Sequence, residues 1–479
     1  MGCELNECVD YPVPAADEQR SEPLREHRRM PHFAHHTSVE FRPAWQGRVA
    51  CALRFGVCTA LFCLWLVRTG LGQFAPLEVL SAPPPTARPG PSLTTLLDFQ
   101  SLAEAQSPNL QRAAAEIQVQ RGRALQAGLY RNPELQGGSP QWGGRDSQYY
   151  GMLSQEIVTA RKLQLDRSAV SREVQIAELN FLRARYDLLT QVRQTFYATL
   201  AAQQRLHAYE GLLGVVRRST KASQTLEKNG ELGRGDTLLL ELEQERAEFG
   251  RDNAAAAYQA WRRQLAAVVG APDLPIDRLQ GNLSDTLPDY PYQLTQAGIL
   301  VQNSQVQAAE VEVQRNQVLL RRANVEPIPN VTVGAGYMYQ VTEPHNMAML
   351  QVTVPIPIWN KNQGQIHAAH AGITRATYAA EQTRLDLTKQ LAAATGRFEM
   401  ATQQTVRYEK AILPKAQESV RLTQRAFEQG QFDFLRVLQT QRAFIESELN
   451  YITAQESRWM SAAEIAGLLQ EEEFPRSAP

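Results

Sequence analysis

The chain is short of cysteine in an informative way. All five cysteines (Cys3, Cys8, Cys51, Cys58 and Cys63) precede residue 64, and none follows over the rest of the 479 residues. That remainder has no thiolate metal site, no cysteine nucleophile and no disulfide, which suits an oxidising compartment where no cross-link is needed. Neither charge sign dominates. A net charge of -1 excludes the basic footprint of a nucleic-acid binder. Mean hydropathy is negative, which excludes a polytopic helical membrane protein. P-loop, GxSxG and HExxH motifs are all missing, so the chain is read as no enzyme and as carrying no cofactor.

One apolar run stands out, "FGVCTALFCLWLV" at 55–67. It falls short of the roughly 20 residues that span a bilayer. Arg48 and Arg54 precede it and small residues follow, so it reads as a secretory signal with cleavage near Gly72–Gln73. An N-terminal membrane anchor is the alternative. The long acidic stretch before it raises Met30 as a second candidate start. His27, His32, His35 and His36 are read as part of a discarded leader rather than as metal ligands.

The chain repeats itself at an offset near 200 residues. "AAEIQVQRGRALQAG" at 114–128 matches "AAEVEVQRNQVLLRR" at 308–322, and "YGMLSQEIV" at 150–158 matches "MAMLQVTVP" at 347–355. "LEKNGELGRGDTLL" at 226–239 matches "FEQGQFDFLRVLQ" at 427–439, and Gly214 falls opposite Pro414. The expected organisation is a leader and signal at 1–72, a Pro-rich linker at 73–94, repeat one at 95–285, repeat two at 286–470 and a tail at 471–479.

Each repeat is expected to open with a helix, 96–129 and then 294–324. Two short extended runs and long helical tracts follow. No Gly or Pro interrupts 152–210, so a rod of about 80 Å is expected there at 1.5 Å per residue. Its apolar residues form two seams. Val170, Val174, Ala177, Phe181, Ala184 and Leu188 make one; Ile176, Leu179, Leu182, Tyr186, Leu189, Phe196 and Leu200 make the other. Two seams let a helix touch neighbours on both sides.

The segment "NVTVGAGYMYQVTEPHNMAMLQVTVPIPIW" at 330–359 reads as a hairpin. Its return arm is expected to put Leu350, Val352, Val354, Ile356 and Ile358 on one face, with Tyr337, Tyr339 and Trp359 as interfacial aromatics. Repeat one holds a weaker hairpin around "GGRDS". Two hairpins leave edges that lipid does not tolerate, so several copies of the chain must close one barrel. The passage through Pro355, Pro357, Asn360, Asn362 and Gly364 is then the junction of barrel and helix. His367 and His370 are read as exposed polar positions. Met338, Met347 and Met349 are read as strand filler rather than soft-metal ligands, and no metal site is expected.

The duplication, "LSQEI", "VPIPIWNKNQGQI" and "GQFDFLRVLQTQRAFIESELNYI" resemble the outer membrane efflux protein (TolC) family over about residues 93–470. "VPIPIWNKNQGQI" is most similar to its heavy-metal and cation branch. The resemblance implies a mainly α chain with short membrane hairpins. Three copies would form a β-barrel in the outer membrane, continued by a long α-helical barrel in the periplasm. It implies a passive exit duct, a membrane-fusion adaptor and an inner-membrane pump, often of the resistance-nodulation-division type. At the periplasmic tip it points to the turns at Gly230 and Gly430, with Asp236, Asp433 and Arg436 near the bore. Arg436 departs from the family's acidic habit; a salt-linked gate and solvated helix-end charges both remain open. Drug efflux, protein secretion and a periplasmic structural coiled coil are the alternatives.

Overall fold

The computed structural model describes residues 94–475, apart from 145, 231, 343, 344, 430, 432 and 433. The leader, the signal-like run, the cysteines, the N-terminal histidines and the linker up to 93 lie outside the described residues.

The element order runs α1 (Leu96–Gln106), α2 (Pro108–Ala127), β1 (Glu134–Gln141), β2 (Gln148–Ile157), α3 (Lys162–Lys228) and α4 (Arg234–Val269). It then begins again with α5 (Tyr292–Gln302), α6 (Ser304–Val325), β3 (Val331–Gln340), β4 (His345–Thr353) and α7 (Gln363–Arg407). One π-helical turn (Tyr408–Ile412) leads into α8 (Leu413–Glu428), and α9 (Phe434–Leu469) returns.

The opening helix of each half is two helices, for a local reason. Pro108 disfavours helical geometry at Ser107, which sits at φ -62° and ψ 117°. At the matching break Asn303 is extended, and its side chain accepts from the Gln305 N–H at 2.9 Å. Its Nδ2 donates to the Leu468 carbonyl, so the break is tied to the end of α9. α1 itself starts at a capping box. The Asp98 carboxylate accepts from the Thr95 hydroxyl and backbone N–H, which holds its pKa below the ordinary value.

The rod is longer than the Gly-free tract. α3 has 67 residues, about 100 Å, and passes through Gly211 and Gly214. A glycine costs a helix about 1 kcal/mol, too little to stop one packed on both sides. Pro414 costs more, since it removes an N–H and crowds the preceding turn. The widened π turn directly before it absorbs that conflict, and the helix continues.

The four strands form one antiparallel sheet in the order β1-β2-β3-β4. β2 and β3 belong to different halves, yet they pair over ten positions, from Gln148 opposite Gln340 to Ile157 opposite Val331. Each strand is continuous with a helix, and α2, α3, α6 and α7 pack side by side in the same sequence as their strands. Farther from the sheet, α3 lies between α4 and α9. The flanking helices therefore change along the rod, and a neighbour is present on each side throughout.

The core sits midway along α3. Phe99, Phe196, Tyr197, Leu200, Leu265, Ile299 and Trp459 bury there. The Pro- and Asp-rich connection between α4 and α5 wraps over them and buries Ile276, Leu279, Leu283 and Tyr290. Trp459 stacks on Tyr197 with centroids 4.1 Å apart and donates its Nε1–H to the Leu283 carbonyl at 2.8 Å. Residues 471–474, expected as tail, are pinned to this core. Fully buried Arg193 donates to the carbonyls of Glu471 and Glu472, and Phe474 packs against Trp459.

Candidate functional site

The register sorts the sheet into two unlike faces. On one face a row crosses all four strands, Leu135, Leu153, Ala335 and Leu350. Neighbouring rows add Val333 and Val352, then Ile157 and Val331. Tyr149, Tyr337 and Tyr339 lie on this face toward the hairpin turns. Leu135 and Leu350 are more than 80 % exposed on the single chain. The other face carries Gln148, Gln340 and His345, then Tyr150, Met338 and Met347, then Gln136, Met152 and Met349. Ser154, Gln351, Glu156, Thr332 and Thr353 complete it. A period of two thus places an apolar surface back to back with a mostly polar one.

β4 ends at Thr353, five residues before Ile358. Pro355 and Pro357 have no N–H to give a ladder. Val354, Ile356 and Ile358 therefore stay exposed beyond the ladder as irregular chain, which turns tightly where the Ile358 N–H donates to the Ile356 carbonyl at 3.0 Å, and Trp359 beside them is 86 % exposed.

At the junction the chain must swing from strand to helix without a glycine. Ala160 and Arg161 do it before α3, with φ of 54° and 56°; Asn362 does it before α7, with φ 59°. Asparagine tolerates this region better than most residues, and Asn362 Nδ2 donates to the Ala323 carbonyl at 2.8 Å. Lys162 holds the first junction. Its buried ammonium donates to the Ile328 carbonyl at 2.6 Å and to Asn330 Oδ1 at 3.2 Å, and Glu326 lies 3.8 Å away. Thr159 donates to the Pro329 carbonyl, and Asn330 Nδ2 donates to Glu156. Burial pushes the Glu326 carboxyl up, but Arg322 and Lys162 outweigh it and leave its pKa below the ordinary value. The cleft between the two junctions measures about 390 Å³ and is lined by both halves, including Glu156, Lys162, Pro355 and Asn360.

At the far end, Gly230 has φ 75° and turns α3 into α4. Asp236 and Arg436 are both exposed there, in the first turns of α4 and α9; Gly430 and Asp433 lie outside the described residues. Among the described residues, Arg234 meets Glu227 across this turn at 3.3 Å, and an ion pair farther along joins other residues. Glu243 of α4 meets Arg246 at 2.6 Å and Arg442 of α9 at 3.3 Å, which joins the two return helices.

Sequence reading singled out the second junction and missed the first. Lys162 and Arg161 lie about 200 residues before Asn362, so the repeat offset itself was the signal for them. Glu243 and Arg442 also lie at about the repeat offset, but the offset alone does not say that α4 and α9 meet there.

Residues 297–469 match the family described as outer membrane efflux protein. Over these residues the chain is similar to outer membrane efflux proteins. It is 26 % identical over 375 residues to the cobalt-zinc-cadmium resistance protein CzcC of Cupriavidus metallidurans, which covers 78 % of this chain and 90 % of that one. Its fold matches CusC, a transmembrane channel, with TM-score 0.69 at 16 % identity over 78 % of this chain and 91 % of that one. It also matches the open-state outer membrane channel MtrE of Neisseria gonorrhoeae, with TM-score 0.66 at 17 % identity over 78 % and 88 %. Efflux proteins of this family are passive outer-membrane channels with a large periplasmic α-barrel, not enzymes.

Proposed function

We propose that three copies of this chain close one barrel and one helical tube, forming the outer-membrane duct of a tripartite efflux system. An inner-membrane pump would load it through a periplasmic adaptor. The observation that carries this is the open sheet. β1 and β4 each present an unpaired edge while one face is apolar, and lipid permits neither a lone edge nor an incomplete ladder. Exposed apolar stripes on the helices support it. Leu238, Leu242 and Phe249 stand four and seven residues apart on α4, and Tyr378 and Leu385 stand seven apart on α7. In this reading Leu350, Val352, Val354, Ile356 and Ile358 face lipid, and Tyr337, Tyr339 and Trp359 mark its boundaries. The turns at Gly230 and Gly430 form the tip, and Asp236, Asp433 and Arg436 line it.

Metal cations are the proposed cargo. The likeness to a cobalt-zinc-cadmium resistance protein over most of both chains supports this. The pump of such a system would be of the resistance-nodulation-division type. Deleting the coding sequence in its host and titrating cobalt, zinc and cadmium tests the cargo. Sensitivity to those metals, reversed by the full chain, is expected; sensitivity to drugs alone would move the duct to drug efflux. Since no cysteine follows Cys63, cysteine pairs placed across β1 and β4 test the assembly directly. Cross-linked trimers are expected, and a chain that stays monomeric in detergent would refute the closure.

A further inference from the structure

Methionine is placed unevenly. Of the six methionines after Met30, four lie in the strands (Met152, Met338, Met347 and Met349), and the register puts all four on the same face. That face is the one opposite the Leu, Val and Ile rows. A methionine serving only as apolar filler belongs among those rows, toward lipid. On the bore side it exposes a thioether to water, and Met347 is 37 % exposed on the chain.

Met152 is accounted for by packing. It is buried, and its Sδ lies 3.0 Å from where a side chain at Gly334 would begin, so it fills the hollow left by that glycine. The other three are not placed this way. Met338 and Met347 are directly paired across β3 and β4, and Met349 follows Met347 on the same face. Paired residues have Cα atoms about 5 Å apart, and same-face neighbours along a strand stand about 6.6 Å apart. Three flexible side chains on such a patch can bring their sulfurs to one point. Thioether sulfur is a soft ligand that favours Cu(I) and Ag(I) over harder divalent cations. His345, one position nearer the turn on the same face, adds an imidazole to the patch.

We propose that Met338, Met347 and Met349 form a thioether station in the bore that holds Cu(I) and Ag(I) transiently on their way out. The proposal rests on the duct reading and names a cargo class for it. Three neutral thioethers make a weak site, which suits conduction: an ion must be held well enough to enter and loosely enough to leave.

The test uses the full chain as purified in detergent, titrated calorimetrically with silver nitrate in chloride-free buffer. The comparison is the M338L/M347L/M349L variant. Met-to-Leu exchange keeps the volume of the face, and migration of the unboiled protein on gels reports assembly. Saturable uptake of a single Ag⁺ per subunit is expected for the wild type and its loss for the variant, with cobalt and zinc titrations the same for both. Equal silver uptake by the two proteins, or none by the wild type, overturns the proposal. If the triple variant does not assemble, Met347→Leu alone, at the centre of the patch, is expected to weaken silver uptake, and an unchanged titration again overturns it. The outcomes separate from those of the duct reading. A deletion strain sensitive to cobalt and cadmium, with full silver tolerance restored by the variant, removes the station and leaves the duct. Silver binding that depends on the methionines in a protein whose deletion affects no metal removes the metal cargo and leaves the site.

Discussion

Two adjacent residues on β4 give opposite outcomes if the sheet lies in lipid. Leu350 stands in the row Leu135, Leu153, Ala335, Leu350, and it is 81 % exposed on the single chain. Gln351 points to the other face, opposite Gly334, where its Nε2 donates to Thr353. Arginine is placed at each in turn. On a lipid-facing barrel position near the midplane it costs about 2–4 kcal/mol, so a closed ring of three chains loses about 6–12 kcal/mol. At Gln351, exposed on the opposite face, the same charge enters a water-filled bore, and the cost is expected to be near zero. The assay is the amount of heat-modifiable assembly in isolated outer membranes, with total chain measured after boiling. Leu350→Arg is expected to lose most of the assembly and Gln351→Arg to keep it. Equal assembly by both variants, or failure of both, refutes the assignment of faces. A soluble hairpin would tolerate both, because arginine on an exposed strand meets water on either side.

Trp459→Ala is expected to cost about 3–5 kcal/mol through the cavity beside Tyr197, whereas Trp459→Phe, which orphans the Leu283 carbonyl, costs about 1–3 kcal/mol. Thermal unfolding followed by circular dichroism ranks them, and equal midpoints would remove the hydrogen bond from the account. Lys162→Met keeps the buried stem but leaves the Ile328 carbonyl without its donor, at about 1–3 kcal/mol. Faster proteolysis around 326–330 is expected, and unchanged cleavage would show that the lysine does not hold the junction. The Arg185 hydrogen bond holds the Glu472 carboxyl below its ordinary value near 4.5. The anchoring it gives residues 471–474 is therefore present above pH 4.5 and lost as pH falls through the lower folded value. Glu472 is mostly exposed, so the effect is small. Trimming by an acid-tolerant carboxypeptidase is expected to rise below that pH in the wild type only, and a Glu472→Gln protein with the same pH dependence would contradict this.

Much of the fold was legible in the sequence because it rests on periodicity. The two seams on α3 announced a helix with neighbours on both sides, and the alternation at 331–339 announced a strand. What was not legible depends on competition between local rules. The opening helices split at Ser107 and Asn303, where one proline or one side-chain cap outweighs a continuous apolar pattern. At Gly214 and Pro414 the reverse holds, and packing overrides both residues. The return strand looked longer than it is because Val354, Ile356 and Ile358 keep the alternation after the prolines have ended the ladder. Alternation in the sequence needs no ladder, whereas a strand needs its N–H groups. The clamp of Arg193 on residues 471–472 was out of reach, since nothing local links positions almost 280 residues apart.

If copies of the chain close one barrel, as proposed, the duplication also indicates how. Within the chain, β2 of the first half meets β3 of the second through a ten-residue antiparallel ladder, and α3 lies against α6 beneath it. That contact joins the last strand of one repeat to the first strand of the next. Carried forward once more, the same relation brings β4 to β1 of another copy and α7 to its α2. The internal contact is therefore a template for the external one, and a closed ring alternates between them. Both contacts must then bend by similar angles, or strands and helices would close around different axes. This is why the junction matters beyond its own stability. Lys162 and Asn362 fix the turn from strand to helix in the two halves by different side chains, yet each reaches the same segment, 323–330, at the base of β3. In the proposed ring, a single fulcrum between the halves would keep the sheet and the helices above a common bore.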